Sequence, residues 1–292
     1  MITIRLKGGM GNQMFQYALG IQLSTLLQTN LQLDLSSLLD RSKGPDFVYR
    51  NYDLDIFKLR TNFVTSPDLL AKMASFKSAR LTRWMRKKAE KGKILVKEKH
   101  FHFQPEIIAA PQNDAIYEGW FQSPLYFNKV QKQVKTAFTF EDAILPASKE
   151  IFDNINNSNA VCLNVRRTDF LKVDTLNATN QAYFDRAAKR MGEQVDQPVF
   201  FIFSDDMEWC REHIKPGFPT HYIGHEHKGR KFGNYLQLMK ACQHFIIPNS
   251  SFAWWAVYLN EHDKKQVIAP KNWFTDDSIH TEDLIPDGWI RI

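Results

Sequence analysis

The chain has 292 residues, of which 43% are hydrophobic and 24% are charged. This is enough apolar material for two α/β cores of about 140 residues each. No stretch approaches the roughly 20 consecutive apolar residues of a membrane-spanning helix, which excludes an integral membrane protein of the helical type. Because the chain begins on a predicted strand without a signal-peptide pattern, we expect a cytoplasmic protein. The three cysteines lie in predicted strands or helices and indicate buried thiols rather than disulfides.

The N-terminal residues predict a strand, a glycine-rich loop and a helix. The first six residues alternate in hydrophobicity, Gly9 and Gly11 lie in the loop, and from Asn12 an apolar stripe recurs at helical spacing. Glycines allow the backbone to approach a ligand closely, and the loop begins the G-x-G-x-x-G pattern of dinucleotide-binding folds, with Asp34 ending the next predicted strand. Met14 stands at the third glycine position, where its bulk opposes close helix–strand packing. NAD or FAD binding is therefore the weaker interpretation of this loop.

The net charge of +6 is concentrated in residues 77–99, which contain ten Lys or Arg and two Glu, a local charge of +8. Trp84 and Met85 interrupt the basic run, so the segment is compatible with an amphipathic helix on an anionic membrane. An ordinary solvated helix and loop explains it equally well. Nucleic-acid binding is the weakest interpretation, because the sequence has no aromatic-rich β-platform.

In the second half, a short apolar run is followed by a polar loop and a helical pattern three times, and residues 267–269 add a fourth strand. This alternation predicts a parallel sheet covered by helices from about residue 159 to residue 270. The carboxyl ends of such strands lie at one edge of the sheet, where the polar loops would bring candidate ligand-binding residues together. These residues are Arg166, Arg167, Asp169, Ser204, Asp205, Asp206, Asn249, Ser250 and Ser251.

The residue types in these loops suit a nucleoside diphosphate. The guanidinium fork of arginine matches pyrophosphate oxygens, a carboxylate accepts from the N–H edge of a base, and hydroxyls or helix N-termini bind the remaining oxygens. Arg166 and Arg167 follow a core-like strand directly, which favours anion binding over ordinary solvated charge. The sequence therefore predicts a nucleoside-diphosphate site at this edge of the sheet.

Five motifs, in order and spanning nearly the whole chain, resemble the successive motifs of the glycosyltransferase family 11 fucosyltransferases. They are KGGMGNQMFQYA at residues 7–18, NYDLDIF at 51–57, YEGWFQS at 117–123, NVRRTDF at 164–170 and LMKACQHFIIPNSSFAWWA at 238–256. The resemblance implies inverting transfer of L-fucose from GDP-fucose, usually to the 2-hydroxyl of a galactose in a glycan acceptor. It also implies an α/β, GT-B-like architecture in which two Rossmann-like domains face each other across a cleft, with GDP-fucose held mainly by the C-terminal domain.

The resemblance assigns roles to residues in both halves of the chain. Arg166 matches the arginine expected at the β-phosphate, where it would stabilise the negative charge that develops as the fucosyl bond breaks. Asn12 matches an asparagine that faces the same reaction centre, and Asp205 or Asp206 resembles the aspartate that reads guanine. The other residues expected at GDP-fucose are Gly9, Gly11, Asn164, Arg167, Asn249, Ser250 and Ser251.

Asn164 departs from the family pattern, which usually has a histidine two residues before the first arginine. Asparagine donates and accepts hydrogen bonds but does not shuttle protons. We count Asp169 with Arg166 and Asn12 as catalytic candidates, yet a general base is not identified: Asp169 and Glu118 are both better explained by structural or positioning roles. No protein base is needed if the departing phosphate takes the proton.

No metal or other cofactor is expected. Asp53 and Asp55 spell the D-x-D with which glycosyltransferases of a different architecture hold a divalent ion. They lie in a motif that the family resemblance covers, and they do not end a recognisable nucleotide-binding strand. Arg166 and Arg167 already supply the positive charge that a dication would contribute.

We expect two domains, 1–150 on the acceptor side and 151–292 binding GDP-fucose, with the boundary in the polar residues 146–159. The expected partners are GDP-fucose and a galactose-terminated glycan, with peripheral contact to the inner membrane through residues 77–99 as an addition. The alternative is a non-enzymatic basic module with a nucleotide-like fold that binds a membrane or polyanion. Three converging polar strand ends favour the enzyme, because a scaffold does not need them.

Overall fold

The computed structural model describes residues 1–38, 48–65 and 79–292. These residues form two compact units, each built around one parallel sheet. The first unit comprises Met1–Thr139 and Glu282–Leu284, and the second comprises Phe140–Thr281 and Ile285–Ile292. The units divide between Thr139 and Phe140. The sequence predicts the boundary further along the chain, in residues 146–159.

The first unit is a five-stranded sheet with helices. Its strands are β1 (Ile2–Arg5), β2 (Leu31–Asp34), β3 (Asn62–Phe63), β4 (Ile94–Lys97) and β5 (Ala115–Glu118). Its helices are α1 (Met10–Leu26), α2 (Ala79–Glu90), α3 (Pro105–Ala109) and α4 (Gln131–Ala137). The strand order is β3-β2-β1-β5-β4, and all neighbouring strands are parallel. The loops after β1, β5 and β4 therefore lie at the same edge of the sheet.

Helix α1 packs closely on this sheet. Met14 is fully buried, and a β-carbon at Gly20 would lie 2.7 Å from Leu31 Cδ1 and 2.9 Å from Ile4 Cγ1. A larger residue than glycine at this position would push the helix away from the strands. The side chain of Met14 therefore does not prevent close helix–strand packing, which occurs further along the helix.

The second unit is a six-stranded sheet with helices. Its strands are β6 (Asn159–Val165), β7 (Pro198–Ser204), β8 (Thr220–Tyr222), β9 (His244–Ile246), β10 (Val267–Ala269) and β11 (Ile290–Arg291). Its helices are α5 (Lys149–Asn156), α6 (Gln181–Gln194), α7 (Met207–His213), α8 (Gly233–Ala241) and α9 (Ser251–Leu259). The order is β11-β10-β9-β6-β7-β8, again with parallel neighbours.

Burial explains which strands of the second sheet the sequence predicts. All residues of β6 after Asn159 are buried, as an apolar run in a sheet covered on both faces requires. Strands β8 and β11, which the sequence does not predict, are short and only partly buried. The expected α/β class with two Rossmann-like units is confirmed.

The buried thiols are also confirmed, since Cys162, Cys210 and Cys242 are buried and free. Among the described helices, none combines the length and the apolar character needed to cross a bilayer.

Candidate functional site

The strand order of the second unit contains a reversal at its centre. The chain runs from β6 outward to β7 and β8, and then returns to form β9 on the other side of β6. In open α/β sheets, ligands bind beyond the carboxyl ends of the strands at such a reversal. The predicted polar loops follow β6, β7 and β9, so all three begin at this place in the fold.

Arg166 lies between two carboxylates. Its Nη2 is 2.7 Å from Asp169 Oδ1 and its Nη1 is 3.3 Å from Asp205 Oδ2, while its guanidinium carbon is 5.5 Å from the ring centroid of Phe170. The Arg166 side chain is 27% exposed, whereas those of Asp169 and Asp205 are 16% and 10% exposed. Two nearly buried anions therefore orient a guanidinium that still presents surface to a ligand.

Arg167 is held by the helix that follows β7. Its guanidinium carbon lies 3.7 Å from the ring centroid of Trp209, and its Nε donates to Asp206 Oδ2 at 3.1 Å. The Trp209 ring in turn stacks on His213 at 4.7 Å between centroids. The stacking and the charged hydrogen bond together fix the plane of this second guanidinium.

The two aspartates after β7 have different partners. Asp206 caps α7, because its Oδ1 accepts from the backbone N–H of Trp209 at 3.2 Å. Asp205 accepts from the backbone N–H groups of Arg167 at 2.9 Å and Thr168 at 3.1 Å, and from the Thr168 hydroxyl. Asp205 therefore organises the turn that carries both arginines.

Asn164 is buried at the end of β6, where its Nδ2 donates to the carbonyl of Phe203 at 3.1 Å. This bond joins β6 to β7 at the level where both polar loops begin. Ser204, at the end of β7, accepts from the N–H of Asp206 through its Oγ at 2.9 Å. Both side chains thus stabilise the loops that hold the arginines and aspartates.

The loop after β9 is braced by Asn249. Its Nδ2 donates to the carbonyls of Leu176 at 2.8 Å and Trp273 at 2.9 Å, and its buried Oδ1 has no hydrogen-bond partner among the described residues. Ser250 immediately precedes α9 and Ser251 is its first residue. Both serines therefore lie at a helix N-terminus, where unpaired N–H groups and the helix dipole favour an anion.

The glycine-rich loop of the first unit lies against the segment that follows β5. Gly8 adopts φ +77°, and a β-carbon there would lie 2.9 Å from Trp120 Cζ3. Gly9 is the N-cap of α1, and Gly11 is buried in its first turn. The close approach of Trp120 and the left-handed backbone explain why position 8 is a glycine.

Two amide side chains that the sequence analysis did not single out connect this loop to its neighbours. Gln122 Nε2 donates to Asn12 Oδ1 at 2.8 Å. Gln13 donates to the carbonyl of Asn51 at 2.7 Å and accepts from the N–H of Asp53 at 2.9 Å. Asn12, Gln122 and the segment 51–57 therefore belong to one hydrogen-bonded region of the first unit, and three of the five sequence motifs meet there.

Of the D-x-D pair, Asp53 is the N-cap of a 3₁₀ turn, Leu54–Ile56, and Asp55 lies within that turn. Within the described parts of the chain, 1–38, 48–65 and 79–292, no group of three or more His, Cys, Asp or Glu is arranged to hold a metal ion.

Arg5 is a buried charge that the sequence pattern alone did not identify. A charged residue within an apolar strand is the feature that indicates such a buried charge. The side chain is 1% exposed, and its Nε donates to Asp34 Oδ2 at 2.7 Å. Its Nη1 donates to Glu118 Oε2 at 2.7 Å and to Glu90 Oε1 at 2.9 Å. Burial raises the pKa of Glu118, but the hydrogen bond and charge of Arg5 outweigh burial and leave the pKa below 4.5. Asp34 and Glu118 are therefore both counter-ions of the buried Arg5.

The basic segment is only partly described, because residues 77 and 78 lie outside the described residues. Helix α2 carries Trp84 with 56% exposure, and Lys88 Nζ lies 5.3 Å from the Trp84 ring centroid.

Comparison with known proteins identifies glycosyltransferases by both a family match and individual relatives. The family described as Glycosyl transferase family 11 matches residues 94–292. An α-1,2-colitosyltransferase of Escherichia coli is 29% identical over 100% of this chain and 98% of its own length. The galactoside 2-α-L-fucosyltransferase Sec1 of Mus musculus is 24% identical over 90% of this chain and 65% of its own length.

A solved structure shares the fold. The NodZ α-1,6-fucosyltransferase of Bradyrhizobium, co-crystallised with GDP, has a TM-score of 0.51 and 12% identity, and the likeness covers 88% of this chain and 91% of NodZ. At this identity the comparison shows the fold alone, which is of the expected GT-B type.

Proposed function

Because the chain belongs to glycosyl transferase family 11, we propose that it transfers L-fucose from GDP-fucose, with inversion, to the 2-hydroxyl of a galactose in a glycan. The observation that carries this proposal is the pair of oriented arginines at the sheet reversal of the second unit. Family relatives that form α-1,2 linkages support the position of the new bond.

In the proposed mechanism, Arg166 binds the β-phosphate and stabilises the charge that develops on it as the glycosidic bond breaks. Asp169 and Asp205 hold the guanidinium in place before the substrate arrives, so little reorganisation is needed during the reaction. Arg167, Asn249, Ser250 and Ser251 supply further donors to the pyrophosphate, and the family resemblance assigns Gly9 and Gly11 to the donor and Asn12 to the reaction centre.

The proposed reaction does not require a protein base. Asp169 is paired with Arg166 at 2.7 Å, so its carboxylate is engaged in holding the guanidinium. We therefore assign Asp169 to positioning of Arg166, and we propose that the departing phosphate accepts the proton from the acceptor hydroxyl. Asn164 stabilises the ends of β6 and β7, from which the loops carrying the arginines and aspartates begin, through its hydrogen bond to the carbonyl of Phe203.

A second candidate exists for the sugar that the donor nucleotide carries. The E. coli relative that aligns over the whole chain is named a colitosyltransferase, so GDP-colitose is the alternative donor. Purified protein should be assayed with GDP-fucose and GDP-colitose against galactose-terminated glycans. The linkage and anomeric configuration of the product should be assigned by NMR. Turnover with neither donor, together with equal thermal stabilisation by GDP and ADP, would favour the non-enzymatic basic module instead.

The proposal also includes peripheral contact with an anionic membrane through residues 77–99. Its support is the charge of the segment and the exposure of Trp84.

We expect the two aspartates after β7 to separate in their effects on GDP binding. Asp205→Ala should weaken GDP binding roughly ten- to a hundredfold, because the turn carrying both arginines loses charged hydrogen bonds worth about 1.5 to 3 kcal/mol each. Asp206→Ala removes the cap of α7 and should lower the free energy of unfolding by about 1 kcal/mol. Calorimetric titration with GDP and thermal unfolding measure the two effects. Normal GDP binding by both variants would remove the pair from the nucleotide site.

We expect transfer to proceed without a divalent metal. Activity should be unchanged in excess EDTA, because two guanidinium groups already supply positive charge at the pyrophosphate. Asp53→Asn should alter thermal stability more than turnover, since Asp53 lies in a hydrogen-bonded region of the first unit, where its backbone N–H donates to Gln13 Oε1 at 2.9 Å. Loss of activity in EDTA that is restored by manganese or magnesium would contradict this prediction.

A further inference from the structure

Trp120 is an aromatic ring at the carboxyl edge of the first sheet that the proposed chemistry does not use. It follows β5 by two residues, and it is 37% exposed although it is large and apolar. Lys7 Nζ lies 4.2 Å from its ring centroid. An exposed tryptophan is ordinary on a protein surface, so its support by the surrounding loop is the informative observation.

The backbone that carries Trp120 is held in an unusual conformation by one carboxylate. Glu98 Oε2 accepts from the N–H of Trp120 at 2.6 Å and Oε1 accepts from the N–H of Phe121 at 2.8 Å. Phe121 adopts φ +52°, in the left-handed region, while its side chain is fully buried. A β-carbon at Gly119 would lie 2.5 Å from Glu98 Cβ. This strain persists because the carboxylate and the core both hold the loop.

Asn12 lies near the ring, because a β-carbon at Gly8 would touch both Asn12 Nδ2 and Trp120 Cζ3. Asn12 is itself held by Gln122, whose Nε2 donates to Asn12 Oδ1 at 2.8 Å. Burial raises the pKa of Glu98 to about 7, although the hydrogen bonds from the N–H groups of Trp120 and Phe121 and the charge of Lys7 act to lower it. A rigid aromatic face beside amide and ammonium donors suits a sugar ring. The C–H face of the sugar stacks on the aromatic ring, and its hydroxyls accept hydrogen bonds from the donors.

We propose that Trp120 is the platform for the acceptor sugar, with Lys7 and Asn12 as hydrogen-bond donors and Glu98 as the positioning residue that holds the loop. The ligand class is a galactoside presented at the non-reducing end of a glycan. This inference rests on the proposed function for the identity of the acceptor. Stacking of the guanine base on Trp120 is the competing use of the ring, and the experiment separates the two.

The test measures the KM of the acceptor and of the donor separately. Trp120→Ala should raise the acceptor KM about tenfold or more, and Trp120→Phe, which keeps an aromatic face, should raise it less than about threefold. The donor KM should stay within about twofold of wild type in both variants. Phe218→Ala provides the control, because Phe218 is an exposed aromatic residue of the second unit, and it should change neither KM.

An acceptor KM unchanged in Trp120→Ala, or a donor KM that rises as much as the acceptor KM, would overturn the platform. Glu98→Gln tests the positioning role, since a glutamine side chain offers one acceptor oxygen where the carboxylate offers two. It should raise the acceptor KM while leaving the donor KM unchanged, and an unchanged acceptor KM would remove Glu98 from the proposal.

A binding experiment keeps the inference independent of turnover. Saturation-transfer NMR with methyl β-galactoside should show contact with the wild-type protein and a marked loss in Trp120→Ala. If the wild type transfers neither sugar but binds the galactoside through Trp120, the proposed function fails and the platform stands. If the galactoside does not bind the wild type, the platform fails.

Discussion

Replacing Arg166 with alanine should lower kcat by a hundredfold or more, equivalent to about 3 kcal/mol of lost transition-state stabilisation. The physical reason is that Arg166 is oriented in advance by Asp169 and Asp205, at 2.7 Å and 3.3 Å. In the alanine variant these two carboxylates lose their counter-ion, and they would repel the charge that develops on the departing phosphate. Steady-state kinetics with saturating donor and acceptor measure the effect.

The controls for Arg166 separate geometry from charge. Arg166→Lys should recover little of the activity, because one ammonium does not bridge two carboxylates and a phosphate as a planar fork does. Arg190→Ala, at an exposed position on α6 of the same unit, should leave kcat unchanged. A folded Arg166→Ala protein that retains more than about a third of wild-type turnover would exclude the residue from the mechanism.

Replacing Arg5 with alanine should lower the free energy of unfolding by about 3 to 5 kcal/mol, the usual cost of removing one partner from a buried ion pair. Asp34 is 3% exposed in its side chain, and it would remain in the core without the guanidinium that compensates its charge. Glu90 and Glu118 would lose the same partner. Urea denaturation followed by circular dichroism measures the change.

A surface ion pair provides the comparison. Lys149 and Asp153 lie 3.1 Å apart on α5 with side chains 74% and 50% exposed, so Lys149→Ala should change stability by less than about 0.5 kcal/mol. A loss below about 1 kcal/mol for Arg5→Ala would show that the buried cluster contributes little.

The pH dependence provides a second test of Arg5. Because the folded pKa of Glu118 lies below 4.5, its contribution is present above pH 4.5 and is lost as pH falls through the lower folded value. The wild type should therefore lose more stability than Arg5→Ala over this acidic window.

Local sequence pattern predicts much of the fold because the second sheet is buried on both faces. A strand in that environment must be apolar throughout, so β6, β7, β9 and β10 stand out as short hydrophobic runs. Strands β8 and β11 do not, since they are only partly buried and have no comparable apolar run. The N-terminal half is harder to predict, because β4 is an exposed edge strand and its sequence merges with the basic segment.

The candidate site was predictable as a set of residues but not as a set of contacts. The placement of Arg166, Asp205 and Ser250 at one edge of the sheet follows from the sequence, because they come after β6, β7 and β9 and the carboxyl ends of parallel strands meet at one edge. The different tasks of Asp205 and Asp206 do not follow from it, since both directly follow β7. Only the path of the turn decides that Asp206 faces Trp209 N and that Asp205 faces the backbone of Arg167 and Thr168.

By itself, the sequence determined the α/β class, the succession of the main strands along the chain and the family, because these depend on local periodicity and on contiguous motifs. The tertiary structure alone decided which distant residues became partners. Arg5 joins Asp34, Glu90 and Glu118 across separations of 29, 85 and 113 residues, and Glu98, directly after β4, holds the loop of Trp120. Pairings of this kind depend on strand order and register, which no local pattern encodes, and they place the charges of the core and the aromatic ring of the first unit.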